Sequence, residues 1–244
     1  MSTFYAGLNG VTFQSRGRNL LGGFYRGAGQ GPRPTALLLH GLPGVEKNLD
    51  IAYGLRDAGW NCLYFHYRGS WGSEGAYSLE GLYDDLLAAT SWLKQEPCVD
   101  NERLALVGHS VGGYLALMAG AIDSHFQAIV ALCPLLSPIR APLSLEMFDE
   151  FAQMLNSVTG KELQSQWENL PPLESRANQL HNRPVLIMTG RKDDIFPPHH
   201  YQPLMEAVPT IEWYEFPDGD HSLSLCRQEA VRRTLDWLFT YMGQ

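Results

Sequence analysis

The feature that most constrains the fold is a series of short apolar runs: Ala36–Leu39, Cys62–Tyr67, Leu104–Val107, Ala128–Leu132, Val185–Met188 and Glu212–Phe216. A strand with one wet face alternates apolar and polar residues. The middle runs do not alternate, which is the pattern of strands covered on both faces of a parallel sheet. Helical patterns lie between them. Leu79, Leu82, Tyr83, Leu86, Leu87, Thr90 and Leu93 form an i, i+3, i+4, i+7 stripe, with Asp84 and Asp85 off it. Val231, Leu235, Leu238 and Met242 repeat the pattern near the end of the chain. Strands alternating with helices predict right-handed βαβ units in a doubly wound, mostly parallel α/β sheet.

Two segments depart from that alternation. Val11–Gln14 and Leu20–Tyr25 are short, joined by an Arg-Gly-Arg-Asn turn, and predict an antiparallel hairpin at the sheet edge. The glycines of Gly27–Pro34 that follow are not a phosphate loop, because no Gly-Lys-Ser/Thr accompanies them. Residues 134–183 carry five prolines, with helical stretches near Ser144–Val158 and Lys161–Asn169. About fifty residues between strands read as a helical lid inserted into a single domain of residues 1–244.

Charge narrows the function classes. The net charge is −8, with no basic run, so neither nucleic acid nor a polybasic membrane contact is expected. Leu104–Ile122 contains no Asp, Glu, Lys or Arg, which approaches the length of a membrane span. Its four glycines, with His109 and Ser110 among them, instead predict a strand, a tight turn and a buried helix. Cys62, Cys98, Cys133 and Cys226 show no CxxC spacing. They read as free thiols of a reducing, cytoplasmic compartment, and the opening residues carry no basic-then-apolar leader.

The chemistry is carried by three loops that follow predicted strands. Gly108-His109-Ser110-Val111-Gly112 lies between an apolar strand and a helical stretch. In that context a G-x-S-x-G turn holds its serine on a strained backbone with Oγ projecting above the sheet. Thr189–Pro198 follows Val185–Met188 and carries Asp193 and Asp194. Asp218-Gly219-Asp220-His221-Ser222 follows Glu212–Phe216.

In these motifs, and over nearly its whole length, the chain resembles the α/β-hydrolase superfamily. There the triad runs Ser, Asp/Glu, His along the chain. The resemblance implies Ser110 as nucleophile, Asp193 as the acid (Asp194 then being a solvated loop carboxylate) and His221 as general base. His40-Gly41-Leu42-Pro43-Gly44 is similar to the superfamily's H-G-x-x-G loop, implying an oxyanion hole from the N–H groups of Leu42 and Val111. Pro43 has no N–H to offer, and His40 is expected to brace the loop.

His66–Gly75 resembles the D-x-R-G-x-G-x-S stretch of small esterases and oligopeptidase catalytic domains, with His66 in the acidic position. We read it as a glycine-rich loop held by Arg68, with Trp71 beside the substrate pocket. Phe148, Phe151 and Trp167 of the lid, with Met154, are candidates for an apolar acyl or aryl pocket.

The expected activity is hydrolysis of small to medium carboxylic esters through an acyl-enzyme. A peptidase or acyl-amide hydrolase of oligopeptidase type is the alternative, disfavoured because those enzymes usually carry a β-propeller. A non-catalytic scaffold of this fold would commonly have lost a triad member, and here all three positions are filled. The only partner implied is a small-molecule acyl substrate. No H-E-x-x-H occurs, His199 and His200 diverge on any regular element, and no metal or cofactor is expected.

Overall fold

The computed structural model describes residues 2–243. Its strands are β1 (Thr3–Phe4), β2 (Gly7–Ser15), β3 (Arg18–Arg26), β4 (Gly29–Gln30), β5 (Arg33–Leu39), β6 (Asn61–Phe65), β7 (Val99–His109), β8 (Phe126–Leu132), β9 (Val185–Gly190) and β10 (Glu212–Phe216). Its helices are α1 (Leu49–Asp57), α2 (Leu82–Leu93), α3 (Val111–Ile122), α4 (Leu145–Ala152), α5 (Gly160–Glu168), α6 (Ala177–Leu180), α7 (Gln202–Ala207) and α8 (Arg227–Met242). Eight strands form one sheet in the order β10-β9-β8-β7-β5-β6-β3-β2. From β10 to β6 all neighbours are parallel, whereas β3 pairs antiparallel with both β6 and β2. The doubly wound sheet and its edge hairpin are therefore as the sequence predicts. The hairpin is longer than its apolar core, because Arg16 and Gly17 alone make the turn, both at positive φ.

The continuous runs reflect two cores. In β5, Leu37 and Leu39 face a cluster with α2 and α3, while Ala36 and Leu38 face another with α1 and α8. Leu106 and Val107 of β7 divide the same way. Burial on both faces removes any position where a polar side chain would be wet. The charge-free stretch resolves into the end of β7, the Ser110 turn and α3, and no helix among the described residues is long and apolar enough to cross a membrane.

Residues 133–184 lie between β8 and β9 and contain α4, α5 and α6. Ser144 caps α4, its side chain accepting from the Met147 N–H, and Thr159 with Glu162 forms a reciprocal capping box on α5. The first helix ends at Ala152, short of the expected Val158. Beyond it the backbone bonds elsewhere: Asn156 N–H donates to Gly69 O at 2.7 Å, and Asn156 O accepts from Tyr77 N–H at 3.0 Å. The insertion is thereby fastened to the glycine-rich loop. That loop is held by Arg68, whose Nη2 donates to Gly81 O at 2.9 Å and whose Nε lies 2.8 Å from the buried carboxylate of Asp85.

The sheet order reverses between β5 and β7, so the loops leaving their carboxyl ends diverge and open a crevice. His40 and Ser110 stand directly after those two ends.

Candidate active site

Ser110 occupies the residue between β7 and α3 with φ 56° and ψ −120°, a conformation side chains rarely adopt. Its neighbours explain how the turn closes. A Cβ on Gly108 would stand 2.1 Å from Gly112 O, and one on Gly112 would stand 2.0 Å from Leu39 O. The backbone of Ser110 is pinned on both sides: its N–H donates to Leu132 O at 2.9 Å, and its carbonyl accepts from Leu135 N–H at 3.1 Å.

Asp193 is 3% exposed, whereas Asp194 beside it is exposed. Asp193 Oδ1 accepts from the N–H groups of Ile195 (2.9 Å) and Phe196 (2.8 Å), which leaves Oδ2 to accept from His221 Nδ1 at 2.8 Å. The two loops are drawn together by Lys192 N–H donating to Gly219 O at 2.8 Å. A carboxylate on Nδ1 holds the proton there and leaves Nε2 with its lone pair. Among the described residues Ser110 Oγ makes no hydrogen bond, so the Asp193–His221 contact is formed and a His221–Ser110 contact is not. Catalytic hydrogen bonds commonly tighten only when substrate is bound.

Gly41 brings the loop after β5 against Ser110, since a Cβ there would stand 2.9 Å from Ser110 Cβ. Val111 opens α3, so its N–H is among those a helix leaves without an internal partner. Leu42 N–H has no acceptor among the described residues. His40 braces the loop: its Nδ1 lies 2.7 Å from Gly41 O, its ring packs 4.3 Å from that of Tyr67, and burial holds its pKa down to about 3.

The aromatic candidates lie elsewhere. The crevice beside His221, about 120 Å3, is walled by residues 41–46 with His109 and Ser222, and none of the four proposed pocket aromatics lines it. Trp71 is 41% exposed, with its Nε1 donating to Pro43 O at 2.8 Å and Lys47 over its ring. Phe148 is buried within the insertion, edge-on to Phe151 and Trp167. Trp167 reaches the site indirectly, stacking on Phe196, which stands edge-on to His221 with ring centroids 5.0 Å apart.

Three contacts have no signature in the sequence. His109 Nε2 donates to the backbone O of His221 at 2.8 Å, tying the serine turn to the histidine loop. His200 Nε2 accepts from Leu136 N–H at 2.7 Å and stacks on Phe196, anchoring the start of the insertion. Cys133 Sγ, Asp193 and His221 present possible ligand atoms within 4.8 Å of one another. Those atoms are already engaged, since both Asp193 oxygens accept hydrogen bonds and burial pushes the Cys133 thiol well above its usual range. The donor set is therefore a poor match for a resident ion.

Burial, opposed by its bond to His221, holds His109 at about 3, far below its ordinary 6.5, so it is neutral in the folded chain. The unfolded chain then binds more protons between those values, and stability is lost as pH falls below about 6.5. His40 and His109 each contribute about 2 kcal/mol to the loss at pH 5. The difference in urea-unfolding free energy between pH 7 and pH 5 is expected to shrink by about 2 kcal/mol in His109→Gln.

The sequence profile of the prolyl oligopeptidase family (Peptidase_S9) matches residues 49–244. An uncharacterised Mycobacterium tuberculosis protein is 28% identical over 197 residues, covering 80% of this chain and 65% of its own length. The alpha/beta hydrolase domain-containing protein WAV2 of Arabidopsis thaliana is 25% identical, covering 66% of this chain and 54% of its own length. The chain thus spans less than two thirds of these relatives. Among solved structures, Est1E of Butyrivibrio proteoclasticus with ferulic acid bound superposes with a TM-score of 0.81 at 17% identity, covering 96% of this chain and all of that one. The Pyrococcus furiosus esterase Pf2001 gives 0.77 at 20% identity, over 98% of this chain and 92% of its own. These likenesses establish the α/β-hydrolase fold.

Proposed function

The chain belongs to the prolyl oligopeptidase family, and from that premise we propose that it is a serine hydrolase cleaving small to medium carboxylic esters through an acyl-enzyme on Ser110. The observation that carries this reading is the 2.8 Å Asp193–His221 pair beside a serine held at positive φ. A hydroxyl is a weak nucleophile until a base takes its proton. His221 Nε2 accepts the Ser110 proton as Oγ bonds to the acyl carbon, and Asp193 stabilises the imidazolium that forms. The carbonyl oxygen becomes an oxyanion, received by the N–H groups of Leu42 and Val111. Such donors are each worth about 3–4 kcal/mol in the transition state, and the α3 N-terminus adds its dipole.

Collapse of this intermediate breaks the bond to the alkoxide, which leaves with the proton from His221. Water then loses a proton to His221 and attacks the acyl-enzyme, releasing the acid and returning the proton to Ser110 Oγ. The sum is ester plus water giving acid plus alcohol.

Membership of a peptidase family favours a second reading, in which the leaving group is an amine. A panel of acetyl to octanoyl p-nitrophenyl esters beside peptidyl p-nitroanilides distinguishes the two. Ester turnover well above anilide turnover is expected, and it should vanish in Ser110→Ala. Turnover of the anilides alone would replace the ester reading with the peptidase one.

A further inference from the structure

A second cavity of about 330 Å3 shares no lining residue with the crevice beside His221. Its size lies at the lower end of the roughly 300–1,000 Å3 typical of small-ligand sites. One wall is a stripe of α3, on which Val111, Leu115, Met118 and Ile122 follow at helical spacing. From first to last that stripe runs roughly 16 Å at the helical rise per residue. Tyr83 of α2 and Leu170 of the insertion close it from the sides. The trough is therefore long and apolar.

Its one cationic group is Arg176. Arg176 Nε is buried and has no hydrogen-bond partner among the described residues. Glu174, two residues away, is engaged by Arg140 instead. Glu80 belongs to the same lining but is exposed at the rim. The Tyr114 phenol, on which the Arg176 charge acts, already donates its proton to Pro171 O at 2.9 Å. Arg176 Nε is closed to solvent, so the groups open to a ligand are the Nη1 and Nη2 ends of this partly exposed side chain, which make no hydrogen bond among the described residues. Guanidinium is also the side chain best shaped to receive a carboxylate, through two parallel N–H bonds.

We propose that this cavity binds a medium-chain aliphatic monocarboxylate, its chain along the Val111–Ile122 stripe and its carboxylate on Arg176. The cavity shares Val111 with the proposed oxyanion hole, but the binding it predicts does not require turnover at Ser110.

Octanoate is the probe, titrated calorimetrically into the full chain. Saturable one-site binding is expected for the wild type. Arg176→Met should weaken it about tenfold, the loss of one charge-assisted contact worth about 1.4 kcal/mol, while leaving the affinity for octan-1-ol unchanged. Met118→Trp, which fills the trough, should abolish binding of both. Arg176 is partly exposed, so its variant keeps the test decisive should Met118→Trp fail to fold. Absence of saturable binding to folded wild type, or equal octanoate affinity in Arg176→Met, overturns the proposal. Because the readout is heat of binding, its failure is distinguishable from an absence of hydrolysis.

Discussion

Asp193→Asn is expected to lower kcat on a p-nitrophenyl ester by about four orders of magnitude, with thermal stability nearly kept. The reason lies in how the carboxylate is held. Oδ1 accepts from the backbone N–H groups of Ile195 and Phe196, and these donors require an acceptor at that position. An asparagine must therefore turn its carbonyl oxygen to them and its NH2 to His221 Nδ1. The imidazole proton then moves to Nε2, and the ring loses the lone pair that would accept the serine proton. The size of this effect is that of a tautomer error in a serine triad, not of a lost salt bridge. Asp194→Asn, at the exposed neighbouring carboxylate, should leave kcat within about twofold, as surface changes usually do. Equal losses from both substitutions would remove Asp193 from the acid role.

The second large effect is on folding. Gly112→Ala is expected to prevent accumulation of folded protein, or to destabilise it by more than about 4 kcal/mol. The added Cβ would stand 2.0 Å from Leu39 O and 2.5 Å from His40 O, both backbone atoms of the neighbouring strand end and loop. They cannot retreat without opening the β5–β7 pairing on which the crevice depends. Gly10→Ala is the control, because a Cβ there meets nothing within 4 Å. Its stability should change by no more than about 0.5 kcal/mol. Urea unfolding of the soluble fraction measures both, and wild-type stability in Gly112→Ala would contradict the close-packed turn described above.

These two cases mark what was legible in the sequence. The strand positions were, because burial on both faces writes itself as runs without alternation, as in Leu104–Val107. The serine turn was also legible, because so tight a strand–turn–helix junction demands small residues around Ser110. Choosing Asp193 over Asp194 needed the resemblance, since adjacent carboxylates in a loop have no periodic signature. The structure adds the physical difference, one buried and accepting from two backbone N–H groups, the other exposed.

Other features left no trace. The bond from His109 to the His221 carbonyl joins residues 112 apart and needs only one imidazole and a backbone carbonyl that any residue would supply. The end of α4 is followed by local turns at Met154 and Leu155 and then by the bonds of Asn156 to Gly69 and Tyr77, partners far off in the sequence. The pairing of β1 with β4 turns the glycine loop into a short strand that its composition did not announce. The surroundings of the lid aromatics are equally unannounced: Phe148 is buried inside the insertion, where with Trp167 it borders a hollow separate from the crevice beside His221. Residue type sets how much surface is to be buried, and the tertiary arrangement decides against what.

The most direct test of the central claim is labelling with a fluorophosphonate probe, the modified peptide being identified by mass spectrometry. The account predicts a single adduct on Ser110 in the folded wild type, and none in Ser110→Ala or in denatured protein. An unlabelled folded chain, or an adduct that persists in Ser110→Ala, would contradict it.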